Sequence, residues 1–213
     1  MAHWQQQQFV EAVRSAFPAW FAKVRVLEIG SLDINGSVRS QFSDCAFIGL
    51  DVGAGPGVDV VCDGQDYAAP DGSFDTVISC EAMEHNPHWA TTFDNMVRLV
   101  RSGGLIIMTC ATHGRPEHGT TRTSPVDSPL SIDIGWEHYR NLSAKDFRRE
   151  TRANELVGFF ATRSDSHDLY FAGFKPPAPA YFWWAACRIR GAYYLRHLLH
   201  CVRSAKSISE GML

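Results

Sequence analysis

The sequence predicts an α/β fold: a doubly wound, seven-stranded, mostly parallel sheet whose last strand is antiparallel, followed by a C-terminal helical tail. Three observations lead to this prediction. Short apolar runs alternate with stretches of helical periodicity from residue 24 to residue 110. These runs are apolar at nearly every position, as in strands that helices cover on both faces. Two further β-rich runs, joined by the polar turn "DSHD", predict an antiparallel hairpin before the tail.

The first five predicted strands are rich in Val, Ile, Leu and Phe and end at glycine, aspartate or cysteine. They cover residues 24–30, 46–51, 58–63, 73–80 and 103–110. Amphipathic spacing predicts helices at 3–17 and 88–101, and "GSVRSQF" favours a short helix at 36–42. Residues 111–135 are rich in Gly, Pro, Ser and Thr and have no period, so we expect a functional lid or a disordered loop.

The last third of the chain predicts one more helix, the hairpin and a boundary. Ser143 and Asp146 have the spacing of a capping box, which predicts a helix at 142–150. The hairpin strands are expected at 156–164 and 169–176. The prolines of "KPPAPA" cannot continue a strand or a helix, so we predict a main domain at 1–175 and a separate tail at 176–213.

Composition limits the classes of function. The 213 residues are 45% hydrophobic and 20% charged, which suits a folded domain with a core. The formal charge is −3, but the tail carries five basic residues against one glutamate, which leaves −7 for residues 1–175. A charge of −7 disfavours nucleic acid as a partner. Six scattered cysteines without a CxxC pair, and no secretory signal at the N-terminus, predict reduced thiols and a cytoplasmic protein.

A glycine turn and two aspartates indicate a cofactor site. The run "VLEIGSLDINGS" is a strand that ends in a glycine turn, and ligands of open parallel sheets bind beyond such strand ends. Asp51 closes the second strand 21 residues after Gly30, where a carboxylate accepts ribose hydroxyls, and Asp63 closes the third. NAD is the competing cofactor, but Leu32 and Ile34 occupy positions where a pyrophosphate-binding turn needs glycine.

These residues resemble the class I S-adenosylmethionine-dependent methyltransferases of the type 11 group, which have a Rossmann-like fold. The likeness covers roughly residues 24–175: "VLEIG", "GLD", "CDG", "FDTVISCEAMEH" and "LVRSGGLIIMT" match successive motifs of that family. The family's E-x-G-x-G-x-G appears here as "EIGSLDING", a departure at the methionine end of the pocket. The resemblance implies S-adenosylmethionine as cofactor and assigns eight residues to it: Glu28, Gly30, Ser31, Asp51, Val52, Asp63, Gly64 and Cys80.

The segment "CEAMEHNP" carries the candidate chemistry. If it is helical, Glu81, Glu84 and His85 lie on one face, at i, i+3 and i+4. Methyl transfer to a hydroxyl needs a base, and the candidates are His85, His113 and His138. A Glu-His turn after the fourth strand also occurs where it only shapes the pocket or caps the next helix, so this alternative stays open.

The E-x-x-E-H pattern with a distal histidine also resembles the metal-binding set of small-RNA 2′-O-methyltransferases and ubiquinone-biosynthesis O-methyltransferases. The resemblance implies a divalent metal bound by Glu81, Glu84, His85 and His138. Because half of these ligands are imidazoles, manganese, zinc or another transition ion is at least as plausible as magnesium.

We therefore expect O-methylation of a sugar, a glycan or another small hydroxylated acceptor. The alternatives are a metal-dependent RNA 2′-O-methyltransferase and a non-catalytic cofactor-binding domain. In the tail, a helical plot places Trp183, Trp184 and Cys187 in one apolar stripe with Tyr194, Leu195, Leu198, Cys201 and Val202, beside basic residues. The stripe predicts either packing, on the domain or in a homodimer, or docking at the membrane periphery.

Overall fold

A computed structural model describes residues 4–192, and seven strands in this range form a single sheet. The spatial order of the strands is β3-β2-β1-β4-β5-β7-β6. Their bounds are β1 Arg25–Ile29, β2 Ala46–Asp51, β3 Val60–Val61, β4 Phe74–Cys80, β5 Val100–Ala111, β6 Val157–Arg163 and β7 Asp168–Phe174. All pairs are parallel except those of β7, which is antiparallel to both β5 and β6, so the predicted fold class is confirmed.

Five helices accompany the sheet in the described residues. Their bounds are α1 Trp4–Ala16, α2 Trp89–Leu99, α3 Pro129–Asp133, α4 Ala144–Glu150 and a last helix, α5, at 182–192. The predicted capping box is present at α4, where the Ser143 hydroxyl accepts from the Asp146 N–H and the Asp146 carboxylate accepts from the Ser143 N–H. Each partner satisfies one unpaired donor at the helix start.

The strand order places the functional edge of the sheet. The chain moves outward from β1 to β2 and β3, then returns to the other side of β1 with β4 and β5. The order therefore reverses between β1 and β4, and crevices in such sheets open beyond the carboxyl ends of the strands at this point. Gly30 follows β1 and Glu81 follows β4, so the predicted site residues lie at this edge.

Two hydrophobic clusters fill the two faces of the sheet. On one face α1 and α5 pack over the sheet with Phe9, Phe17, Tyr170 and Phe174. On the other face α2 and α4 pack through Trp89, Phe93, Met96 and Phe147. The two-sided cover explains why the central strands are continuous apolar runs rather than alternating ones.

Two predicted helices differ from the observed elements. Residues 36–42 form only a single 3-10 turn, Arg39–Gln41, because Gly36 has a φ of 138° and the buried Val38 already anchors the loop in the core. The helix predicted at 88–101 ends at Leu99, because Val100 pairs with Phe74 as the first residue of β5.

Of the two alternatives predicted for residues 111–135, a functional lid or a disordered loop, the structure shows an ordered segment. Residues 112–143, called the lid below, contain a 3-10 turn at Pro125–Asp127 and the short helix α3. Arg115 forms an ion pair with the buried Asp168 of β7, with 3.2 Å between Nη1 and Oδ1. The side-chain amide of Asn141 donates to the Arg115 carbonyl at 2.9 Å. These contacts join both ends of the lid to each other and to β7.

The face of α5 that packs on the domain differs from the apolar stripe that the sequence indicated. Phe182, Ala185, Ala186 and Ile189 are buried in the cluster with α1, whereas Trp183, Trp184 and Cys187 are exposed. The stripe's other predicted members, from Tyr194 to Val202, lie outside the described residues. Within 4–192, no helix has the length and apolar character needed to cross a bilayer.

Candidate active site

A narrow cavity of about 70 Å³ lies beyond the carboxyl ends of β1, β2 and β4. Four of the eight predicted cofactor residues line it: Gly30, Asp51, Val52 and Gly64. Its wall also includes residues that the sequence did not single out for the cofactor: Cys62, Asn86 and, from the lid, Leu130 and Trp136. The cavity is thus closed on one side by the lid.

Asp51 presents a carboxylate that the backbone holds in place. Its Oδ2 accepts from the Leu32 N–H at 2.9 Å, and its Oδ1 accepts from the Val52 N–H at 2.8 Å. Burial raises the pKa of this carboxyl group, and the two N–H donors act in the opposite direction. A carboxylate oriented in this way at the end of β2 is suited to accept hydrogen bonds from a vicinal diol.

Gly30 turns the chain at the end of β1 in a conformation that only glycine adopts readily. Its φ is 80°, and its N–H donates to the Leu50 carbonyl at 2.9 Å. A Cβ at this position would lie 2.4 Å from the Cβ of Ala82, which follows β4. The close approach of these two loops forms the floor of the cavity.

The other four predicted cofactor residues do not line this cavity. Glu28 is only 4% exposed in β1, and burial raises its pKa to about 8, so it is mostly protonated at neutral pH. Ser31 and Cys80 are buried, and Asp63 accepts from the Gln65 side-chain amide at 3.2 Å. At the end of β3, Cys62 rather than Asp63 contributes to the wall.

The Glu-His segment, residues 81–85, is not the helical turn that the sequence suggested. Glu81 has a left-handed φ of 52°, and the turn that follows is a single 3-10 turn, Met83–His85. Both carboxylates bind to β5: Glu81 Oε1 accepts from the Thr109 hydroxyl at 3.2 Å, and Glu84 Oε1 accepts from the Ala111 N–H at 3.0 Å. Burial, with Glu84 and Asp168 nearby, raises the pKa of Glu81.

His85 is the group best placed for chemistry. Its side chain is 3% exposed, and neither ring nitrogen has a hydrogen-bond partner within the described residues. Burial lowers the pKa of His85 to about 4, so the imidazole is neutral at pH 7. The ring centroids of His118 and Tyr139 lie 4.9 and 5.6 Å from the centroid of the His85 ring. Gly119 packs against the edge of the His85 ring. The lid therefore encloses the imidazole.

A second cavity, of about 290 Å³, shares a wall with the first. Glu81, His85 and Asp127 line both cavities, so they form the common wall. The remaining lining residues of the second cavity are mostly polar: Asn35, Arg115, Pro116, Glu117, His118 and Ser124. Two adjoining cavities with an unpaired imidazole between them are suited to a donor and an acceptor of a transferred group.

The other two predicted catalytic histidines lie away from this wall. His113 is exposed, and its carbonyl contacts the His167 ring at 3.1 Å. His138 is half-buried, and its Nε2 has no hydrogen-bond partner in the described part of the chain. Burial and the Arg140 charge lower its pKa. Neither residue lines the two cavities, so the geometry favours His85 among the three.

The structure brings together a different metal-ligand set from the one the resemblance implied. Potential ligand atoms of Glu84, His85 and His118 all lie within 4.8 Å of one another. Among the described residues, Glu81 and His138 are not part of such a group. His118 comes from the lid, 33 residues after His85, and its approach depends on the path of the lid, which no local sequence pattern indicates.

Comparisons with known proteins concern the family of one segment and the fold of the chain. Residues 52–108, which include β4, the Glu-His segment and α2, match the model of a family described as a methyltransferase domain. No curated protein sequence matches the chain. The described fold is similar to many solved structures, at identities low enough that the likeness concerns the fold.

Three of these structures illustrate the kinds of methyltransferase that share this fold. The Burkholderia thailandensis 1,6-didemethyltoxoflavin-N1-methyltransferase, with bound 1,6-didemethyltoxoflavin and S-adenosylhomocysteine, has a TM-score of 0.52 and 15% identity over 77% of this chain and 78% of that one. Phosphoethanolamine N-methyltransferase 2 of Haemonchus contortus, with phosphomonomethylethanolamine and S-adenosylhomocysteine, has a TM-score of 0.54 and 15% identity. The match covers 81% of this chain and 53% of that one. The CurJ carbon methyltransferase has a TM-score of 0.50 and 13% identity over 73% of this chain and 49% of that one.

The family match and the shared fold confirm the predicted resemblance. The matched segment contains all of β4 and most of β5, and it ends just before Thr109 and Ala111, the two β5 residues that donate to Glu81 and Glu84.

Proposed function

We propose that this chain, a class I S-adenosylmethionine-dependent methyltransferase, methylates a hydroxyl oxygen of a sugar or another small hydroxylated acceptor, with His85 as the general base. The observation that carries the proposal is the position of His85. Its buried, neutral imidazole has two unpartnered nitrogens and lies in the wall between the two cavities. A neutral imidazole has a free lone pair that can accept a hydroxyl proton, and the neighbouring Glu84 favours the imidazolium that forms.

The residues of the first cavity fit S-adenosylmethionine. The Asp51 carboxylate would accept from the ribose diol, the backbone at Gly30 would hold the methionine end, and Cys62 and Gly64 would border the adenine end. Pockets for ligands of this size usually have volumes of about 300 Å³ or more. Because the cavity measures about 70 Å³, the lid segment with Leu130 and Trp136 must move outward to admit the cofactor.

The chemistry needs one proton acceptor from the chain. S-adenosylmethionine supplies a methyl group on a sulfonium, and its sulfur keeps the electron pair of the broken bond. His85 accepts the hydroxyl proton as the acceptor oxygen forms its bond to carbon, and then releases the proton to solvent when the lid opens. Enclosure of His85 by His118, Gly119 and Tyr139 keeps water from taking the acceptor's place.

The second cavity supports a small, polar, uncharged acceptor. Its walls carry both signs of charge, and Arg115 and Glu117 are already paired, with Asp168 and Arg122. Asn35, Ser124 and Asp127 remain as hydrogen-bonding groups of the kind that bind sugar hydroxyls. The alternative acceptor, RNA, is disfavoured by the formal charge of −7 on residues 1–175.

The test is a transfer assay with methyl-labelled S-adenosylmethionine over monosaccharides, nucleotide sugars, phenols, small amines and RNA. We expect label on a sugar or another small hydroxylated compound. Label only on amines or RNA would contradict the hydroxyl proposal while leaving the methyltransferase class intact. A chain that binds cofactor but labels none of these classes would favour the non-catalytic alternative.

A second candidate, a metal-assisted version of the same reaction, is favoured by the cluster of Glu84, His85 and His118. The donor set fits a divalent transition ion, since one carboxylate and two imidazoles leave coordination positions open. Glu84 Oε2 and both His85 nitrogens are buried without partners among the described residues, as vacant ligand atoms would be. A metal ion held here would lower the pKa of the acceptor hydroxyl.

Metal content distinguishes the two versions. If the cluster binds an ion, purified protein is expected to contain about one equivalent of manganese, zinc or iron. Glu84→Gln and His118→Ala would each lower that content about tenfold or more, whereas His138→Ala would not. Activity that survives a chelator, in protein without metal, would reject the metal-assisted version and leave His85 as the base.

A further inference from the structure

The outward face of α5 combines two exposed tryptophans with basic residues. Trp183 is 59% exposed and Trp184 is 64% exposed, although both follow the buried Phe182. Cys187 lies between them around the helix and is also exposed. A Cβ added at Gly191, one turn further along, would meet no atom within 4 Å. This outer face therefore projects away from the described part of the chain.

The opposite face of α5 is buried against the domain. Phe182, Ala185, Ala186 and Ile189 are buried against α1 and the sheet. Their ring contacts include Phe182 with Phe174, at 5.7 Å between centroids. Because the domain holds α5 by this inner face, rotation of the helix cannot bury the tryptophans without exposing the core. The tryptophans are therefore available to a surface outside the described part of the chain.

The charges beside the tryptophans indicate what that surface is. At 100° per residue, Arg188 and Arg190 fall on the two flanks of the outer face, and both are exposed. The Arg188 guanidinium lies 4.8 Å from the centroid of the Trp184 ring. No acidic residue occurs from 176 to 209, whereas the rest of the chain is acidic. Tryptophans in the centre with arginines at the margins suit a helix that lies in the headgroup region of an anionic bilayer.

We propose that the outer face of α5, formed by Trp183, Trp184, Cys187, Arg188 and Arg190, docks the enzyme on an anionic membrane surface. The tryptophan rings enter the boundary between headgroups and acyl chains, and the arginines bind lipid phosphates. The inner face keeps the catalytic domain attached to the docked helix. The proposal is independent of the acceptor and of the role of His85.

The test is co-sedimentation of the full chain with vesicles of phosphatidylcholine alone and of phosphatidylcholine mixed with phosphatidylglycerol. We expect the partition coefficient to be at least about tenfold higher with phosphatidylglycerol, and to fall about tenfold in the double variant Trp183→Ala, Trp184→Ala. Arg188→Gln with Arg190→Gln would remove the preference for the anionic lipid. The matched control is Trp4→Ala on α1, since Trp4 is 55% exposed and also contacts an arginine.

A variant that binds vesicles more strongly tests the proposal even if the variants that lose binding are misfolded. Gly191→Leu adds an apolar side chain to the outer face in open space and is expected to raise the partition coefficient several-fold. Equal binding of wild type and the tryptophan variant, or no binding by wild type, would overturn the proposal. So would light scattering that shows a wild-type dimer and a monomeric tryptophan variant without vesicle binding, because a second copy then covers this face.

Discussion

Replacement of His85 with alanine is expected to lower kcat by about 10²- to 10⁴-fold, the usual contribution of a general base. The physical reason is that the variant leaves the acceptor hydroxyl without a proton acceptor in an enclosed site. The dissociation constant for S-adenosylhomocysteine is expected to change little, because the Asp51 side of the cavity remains intact. Both quantities follow from single-turnover assays and titration of the same preparation.

The pH profile gives an independent check on His85. A base works when unprotonated, and burial lowers the pKa of His85 to about 4. Activity is therefore expected to persist as the pH falls through 6.5, where an ordinary histidine would protonate, and to decline only closer to pH 4.

The matched control for His85→Ala is His113→Ala, because His113 is exposed and lines neither cavity. A His113 variant as inactive as the His85 variant would contradict the assignment.

The strand ends were predictable because their signals are local. Asp51 and Gly30 occupy the ends of β2 and β1, where apolar runs stop at a glycine or an acid. The capping box at Ser143 likewise lies within four residues of sequence. In each case the role of the residue depends only on its position along its own strand or helix. The periodicity of the sequence reveals that position.

The composition of the site was less predictable because it depends on the lid. His118 reaches His85 only because the lid is joined to β7 through Arg115 and Asp168, which are 53 residues apart in the sequence. Leu130 reaches the cofactor cavity because Gly53 leaves room, since a Cβ there would lie 2.7 Å from it. Such contacts follow from the fold as a whole and have no local pattern.

The tail shows a second limit of sequence patterns. Apolar residues occur on both sides of α5, so a helical plot does not reveal which side faces the core. The structure buries Phe182 and Ile189 with two alanines, which allow close packing on α1, and leaves the bulkier Trp183 and Trp184 outside. The predicted boundary between residues 175 and 176 stays a prediction.

Gly30→Ala is expected to abolish cofactor binding, with a rise in the dissociation constant of at least about a hundredfold. The new methyl group would lie 2.4 Å from the Ala82 Cβ, and the residue would keep a φ of 80°. The loops after β1 and β4 must then separate, and the floor of the cavity is lost. Titration with S-adenosylhomocysteine measures the effect.

The matched control separates backbone strain from the steric clash. Gly135 has nearly the same φ, 82°, but a Cβ there would meet no atom within 4 Å. Gly135→Ala is therefore expected to cost some stability, about 1 kcal/mol, and to leave cofactor binding within a few-fold of wild type. If both variants lose binding equally, the close approach to Ala82 is not what shapes the site.

The most direct measurement is isothermal titration of the wild-type chain with S-adenosylhomocysteine and, separately, with NAD. The proposed function predicts a micromolar dissociation constant for S-adenosylhomocysteine, no heat with NAD, and loss of most binding in Asp51→Ala. Heat with NAD alone, or cofactor binding that Asp51→Ala leaves unchanged, would contradict the assignment of the cavity beyond β1 and β2 to S-adenosylmethionine.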